Sequence, residues 1–127
     1  MARFLWICLG GAVGTGARYL VSGWAQSIFG PVFPYGTLAV NVVGSFLLGV
    51  VMQVALATRV IGPTVRLTLA TGVLGGFTTY SSFNYETLQY LREGAFALAA
   101  ANLAATVVVC LLAGLAGLVL AQWWLGA

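Results

Sequence analysis

Long apolar stretches alternate with short polar or glycine- and proline-rich punctuation along the whole chain. The first apolar run covers roughly 4–24 and carries Arg18 near its far end. Gly30-Pro31-Val32-Phe33-Pro34-Tyr35-Gly36 then reads as a turn. A second run, about 36–57, has polar residues but no charge. Arg59, Gly62 and Pro63 in the following connection are helix-ending and interfacial signals. The third run, about 66–91, is interrupted by Gly72, Gly75 and Gly76 leading into Phe77-Thr78-Thr79-Tyr80-Ser81-Ser82-Phe83. Arg92-Glu93-Gly94 is a polar turn before the last run, about 95–124. Each run is long enough to cross a bilayer core as a helix, which takes about 20 residues. Trp6, Trp24, Trp123 and Trp124 fall near predicted ends, as interfacial aromatics do. The pattern predicts an all-α membrane protein in which residues 1–127 form a single domain of four transmembrane helices, the third broken near its middle.

Composition agrees: 61% of the 127 residues are apolar and only 6% are charged. Five arginines and two glutamates cannot solvate the surface of a soluble domain, which is ordinarily about a quarter charged. With no His, Asp or Lys, the chain cannot build Ser-His-Asp triads, imidazole metal sites, Schiff-base lysines or Walker-type phosphate loops, and no enzyme activity is expected. The net charge of +3 is dispersed over Arg3, Arg18, Arg59, Arg66 and Arg92, so no nucleic-acid partner is expected. Cys8 and Cys110 sit inside apolar runs and read as small buried residues rather than a disulfide. Arg3 ahead of an apolar run has the look of a signal peptide, but more membrane segment follows, so the first run is expected to be retained.

Polar chemistry is confined to three stripes. Thr37, Asn41 and Ser45 recur every fourth residue on the second helix and share one face. Asn102, Thr106 and Cys110, continued by Gly114, repeat that spacing on the last helix. The interrupted segment adds Thr78, Thr79, Ser81 and Ser82. Uncharged donors in file within a bilayer suit a small, partly dehydrated anion, because conduction needs weak, multiple sites rather than fixed charge. For any single Ser or Thr the alternative is back-bonding to the i−4 carbonyl. Asn41 and Asn102 are harder to dismiss, since a primary amide in hydrocarbon needs partners or water.

A helix interruption at membrane depth frees amides and carbonyls that lipid cannot satisfy, and is tolerated only where backbone is buried in protein, lines water or binds an ion. Gly75-Gly76-Phe77-Thr78-Thr79 weakens helix continuity at the right place. Tyr80 and Phe83 are one turn apart, and their electropositive ring edges can face an anion or simply pack between helices. Glu86 is expected to face a vestibule or another subunit rather than lipid, and Glu93 to be interfacial.

So small a bundle encloses little interior. The pairs Gly10/Gly14, Ser45/Gly49 and Ala101/Ala105 offer close helix packing, either within one chain or between copies. In a four-span topology Arg3, Arg59 and Arg66 share one side against Arg92 and Arg18 on the other, a feeble orienting bias. Nearly balanced ends permit two opposed orientations and an antiparallel dimer; a single, weakly determined orientation is the simpler alternative. If two inverted copies cross at the interruption, their freed carbonyls form a candidate Na⁺ site. A gentle kink holding water is the alternative.

At these residues the sequence resembles the Fluc (CrcB) fluoride channel family. The resemblance rests on GGAVGTGARY (Gly10 to Tyr19), PYGTLAVNVVGSFLLG (Pro34 to Gly49) and TGVLGGFTTYSSFNYET (Thr71 to Thr87), in matching order and separation over essentially the whole chain. It implies an antiparallel, dual-topology homodimer with two fluoride pathways and a structural, non-transported Na⁺. It also implies that the Gly75 and Thr78 carbonyls hold that ion and that Asn41 lines the pore. Tyr80 and Phe83 take the family's aromatic-box positions, where Tyr80 keeps the ring edge and adds a hydroxyl. Glu86 matches the acidic position after the third-helix motif. Asn102, Thr106 and Cys110 stand where family members often have a Tyr followed by hydroxyl residues.

The reading this supports is a passive, fluoride-selective channel of the cytoplasmic membrane, with Asn41, Thr79, Tyr80, Ser81, Ser82, Phe83, Glu86 and Thr106 along the pathway. It would lower intracellular fluoride by letting the ion leave down the membrane potential, with lipid bilayer and a second copy as its partners. A small multidrug-type proton-coupled exporter is the alternative, but that mechanism wants a carboxylate deep in the membrane, and the first run has none. A non-transporting assembly subunit would account for the small-residue spacing but not for the broken third segment.

Overall fold

The computed structural model describes residues 1–126, and those residues form helices joined by short connections, with no strand among them. In chain order they are α1 (Ala2–Phe29), α2 (Tyr35–Ala57), α3 (Pro63–Leu67), a π-helical stretch (Thr68–Leu74), α4 (Gly75–Phe77), α5 (Tyr80–Arg92) and α6 (Phe96–Leu125). Helices α1, α2 and α6 are long and apolar enough to cross a membrane. The protein is therefore an integral, multi-pass membrane protein.

Helix α1 runs further than its apolar pattern suggests, to Phe29 rather than Trp24. Nothing in Ala25-Gln26-Ser27-Ile28-Phe29 breaks a helix, and the stop comes where Gly30 adopts φ 90° and Pro31 follows. Gln26 then fixes the turn. Its Nε2 donates to the Gly30 and Phe33 carbonyls, and its Oε1 accepts from the Gly36 N–H at 3.0 Å.

The third region is more segmented than a single break. Thr68–Leu74 widens into π-helix, which the apolar pattern did not signal. Gly75 and Gly76, expected to interrupt the helix, stay helical, with Gly75 at φ −63°, ψ −37°. The backbone leaves helical space only at Thr78 (φ −87°, ψ 159°) and Thr79 (φ −151°, ψ 115°). β-Branched residues give up less on entering extended backbone than on continuing a helix, and Thr79 gains a capping role there.

Helix α1 packs along the π-helical stretch and α4, while α2 packs along α6. The α1 contact is backbone against backbone: a Cβ at Gly14 would collide with the Val73 carbonyl oxygen. The Gly10/Gly14 pair thus serves packing inside one chain, and Gly49 likewise meets the Gly114 carbonyl of α6. Arg3 Nε donates to Thr64 Oγ1 at 3.2 Å, placing the start of α1 beside α3. At the other end the Tyr90 hydroxyl donates to the Val32 carbonyl at 2.8 Å, tying α5 to the α1–α2 turn. Large apolar side chains such as Leu9, Leu111 and Val107 face outward, as a protein solvated by lipid requires.

Candidate anion cleft at the helix break

The break is held open by one side chain. Asn41 on α2 donates from Nδ2 to the Thr79 carbonyl at 3.0 Å and accepts the Thr79 N–H on Oδ1 at 2.7 Å. The amide thus replaces a strand-like neighbour for the extended residue, and both backbone groups of Thr79 are satisfied without water. One Nδ2 hydrogen remains, since a primary amide has two. Thr79 also caps α5: its Oγ1 accepts the Ser82 N–H at 3.2 Å and donates to the Ser82 hydroxyl at 3.1 Å.

These bonds redirect the helical ladder. In a continuous helix the Thr79 N–H would serve the Gly75 carbonyl, but it goes to Asn41. The Ser82 N–H would serve the Thr78 carbonyl, but it goes to the Thr79 side chain. Gly75 and Thr78 therefore each present a carbonyl without its helical donor. Thr78 Oγ1 turns back to the Leu74 carbonyl at 2.9 Å and takes no part in the opening. Gly44 lets this backbone lie against α2, where a Cβ would run into the Thr78 methyl and come within 3.3 Å of the Phe77 ring.

A cleft of about 320 Å³ opens beside the break. Asn41 and Ser45 of α2, Thr79, Tyr80 and Phe83 of the break, and Thr106 of α6 all line it, with Cys110 a turn further along. Phe83 is buried, while Tyr80 is 76% exposed in the single chain. The two rings meet edge-on, with centroids 5.6 Å apart and planes at 71°. The lining is neutral throughout: it carries donors and ring edges but no formal charge.

Beneath the α1–α2 turn lies a second cavity, of about 530 Å³, lined in part by Glu86, Gln89, Tyr90 and Glu93. Thr37 Oγ1 donates to Glu86 Oε1 at 2.5 Å, and Glu86 Oε2 is shielded with no partner among the described residues. The Thr37–Asn41–Ser45 face of α2 therefore runs from this outer cavity to the cleft. No group of His, Cys, Asp or Glu among the described residues could hold a metal ion, so a cation here would depend on carbonyl oxygens.

Residues 5–118 match the family described as CrcB-like protein, Camphor Resistance (CrcB). The chain belongs to the CrcB family. It is 59% identical, over 99% of its own length and all of the relative's, to a protein named Fluoride-specific ion channel FluC from Anaeromyxobacter sp. (strain K). A protein of the same name from Sorangium cellulosum (strain So ce56) is 58% identical over 96% of both chains. One from Geobacter sulfurreducens (strain ATCC 51573 / DSM 12127 / PCA) is 47% identical over 96% of this chain and 98% of its own.

In this CrcB chain the residues read from the sequence fall into groups. Asn41, Thr79, Tyr80, Phe83 and Thr106 come together at the cleft. Ser81 and Ser82 lie on the first turn of α5, joined to Thr79 by their hydroxyls. Glu86 stands apart at the outer cavity. Gly75 and Thr78 border the break, and both line the cleft as well. The stripe on α6 divides: Thr106 and Cys110 reach the cleft, but Asn102 turns away and donates to Thr87 Oγ1 at 2.9 Å. Sequence reasoning passed over Thr87 and Gln26. The signal for Thr87 was its place one turn after Phe83 on the same face, and for Gln26 a lone amide closing an apolar run ahead of Gly-Pro.

Proposed function

We propose that two copies of this chain, inverted relative to each other, form a passive fluoride channel of the cytoplasmic membrane that lowers intracellular fluoride. The observation that carries the reading is the neutral cleft at the helix break, where one uncommitted Asn41 amide hydrogen and the Tyr80 and Phe83 rings border a space of about 320 Å³. Fluoride is small and strongly hydrated, so it gives up water only where several donors replace it. Neutral donors do so without trapping the ion. Thr79 spends its proton on Ser82, so the Thr79 hydroxyl itself is not a donor to the cleft. Four membrane passes per copy follow if the segmented region from α3 to α5 crosses as one element beside α1, α2 and α6.

The Gly75 and Thr78 carbonyls would hold a structural Na⁺ where two inverted copies cross. Bound there, a hard monovalent cation would neutralise converging carbonyl dipoles and tie the copies together. Support for the pairing comes from Gly75 and Tyr80, exposed in a single chain beside the break, and from arginines split almost evenly between the two ends.

Proteoliposomes loaded with fluoride test the reading. Rapid electrogenic F⁻ efflux, without a pH gradient and with little Cl⁻ loss, is expected. Proton-coupled efflux of an organic cation would instead make the protein an exporter. Cysteine labelling from both sides of cells should find each terminus on both faces, and a single orientation would remove the dimer geometry.

A further inference from the structure

Behind the cleft wall a short hydrogen-bond relay joins α6 to α5. Thr106 Oγ1 points to Asn102 Oδ1 at 3.5 Å, Asn102 Nδ2 donates to Thr87 Oγ1 at 2.9 Å, and Thr87 Oγ1 donates to the Phe83 carbonyl at 2.9 Å. Asn102 and Thr87 are only 2% and 6% exposed, and neither lines the cleft, whereas Thr106 and Phe83 at the two ends of the relay do. The middle pair cannot touch an ion in the cleft. It can decide where the two cleft residues stand.

We infer that Asn102 is a positioning residue that sets the Phe83 ring against Thr106 through the Thr87 hydroxyl. The inference rests on the channel reading and adds a determinant of selectivity to it. Two features favour it over simple satisfaction of a buried amide. The Thr87 hydroxyl has one proton, which goes to the Phe83 carbonyl, so Asn102 can engage it only as a donor and the polarity of the relay is fixed. Phe83 is 4% exposed and packs edge-on to Tyr80, so a shift of its backbone carries the ring with it. Discrimination between F⁻ and the larger Cl⁻ depends on such placement.

The test compares Asn102→Leu, Thr87→Val, the double variant and Thr87→Ser in liposomes and by thermal unfolding in detergent. Each apolar single variant is expected to lower the F⁻/Cl⁻ flux ratio about tenfold, the factor carried by one ordinary hydrogen bond, and to lower the unfolding midpoint. The double variant removes the Asn102 amide and the Thr87 hydroxyl together, and Thr106, which lines the cleft, loses only a long 3.5 Å contact, so the midpoint should recover while the flux ratio stays low. Thr87→Ser keeps the hydroxyl and should keep the wild-type ratio. A double variant that regains both stability and selectivity, or single variants with wild-type selectivity, would make the pair mere packing and overturn the inference. If Asn102→Leu fails to accumulate, Thr87→Val against Thr87→Ser makes the same comparison. Wild-type liposomes that pass no fluoride would overturn the channel reading itself, a result separate from either of these.

Discussion

Asn41 does two jobs that different substitutions pull apart. Both ends of its amide are bonded to Thr79, so Asn41→Leu would strand the Thr79 N–H and carbonyl in a site where Asn41 itself is 8% exposed. At about 1–3 kcal/mol for each orphaned group, the loss of stability should be about 2–6 kcal/mol. Asn41→Asp keeps an acceptor for the Thr79 N–H. If ionised, its carboxylate faces the Thr79 carbonyl and repels an anion; if protonated, its single hydrogen is consumed by that carbonyl. Either form lacks the second N–H that wild type leaves free. Losing one hydrogen bond to an anion, worth about 1.5–3 kcal/mol, slows flux by about 10-fold to 150-fold. Tryptophan-monitored unfolding should therefore separate the two variants, with Asp the more stable, while fluoride-electrode efflux should find both slowed by about tenfold or more. Wild-type flux in Asn41→Asp would refute the anion role, and wild-type stability in Asn41→Leu would refute the clamp.

Phe83→Ile conserves bulk but removes the ring that meets Tyr80, so flux should fall while the proposed dimer survives size-exclusion chromatography; an unchanged rate takes the ring out of the pathway. Thr37→Val strips Glu86 Oε1 of its donor beside an Oε2 that has none among the described residues, which should lower stability by about 1.5–3 kcal/mol, with Thr37→Ser restoring it. Gly44→Ala drives a methyl into Thr78 and the Phe77 ring, an overpacking of about 1–3 kcal/mol that should depress stability and flux together. Exchanging Na⁺ for a large organic cation should lower the unfolding midpoint of the proposed dimer, and equal midpoints in the two salts would leave the carbonyls at Gly75 and Thr78 without an ion.

Hydropathy alone determined that the chain lives in lipid and is helical, because an uncharged apolar run of membrane length has one way to satisfy its backbone there. Four-residue spacing likewise placed Thr37, Asn41 and Ser45 on one face, since that relation is internal to a helix. The residue at which the third element unwinds was not local information. Gly75 and Gly76 have the weaker helix propensity, yet they remain helical, and Thr78–Thr79 opens because Asn41, 38 positions earlier, offers the backbone an equal partner. Periodicity also put Asn102 in line with Thr106 and Cys110, but which way a buried amide turns depends on who waits across the gap, and Thr87 of α5 waits behind Asn102 rather than beside the cleft. Patterns within one helix are written by its own geometry, whereas the fate of a polar group between helices is decided only when another element arrives to meet it.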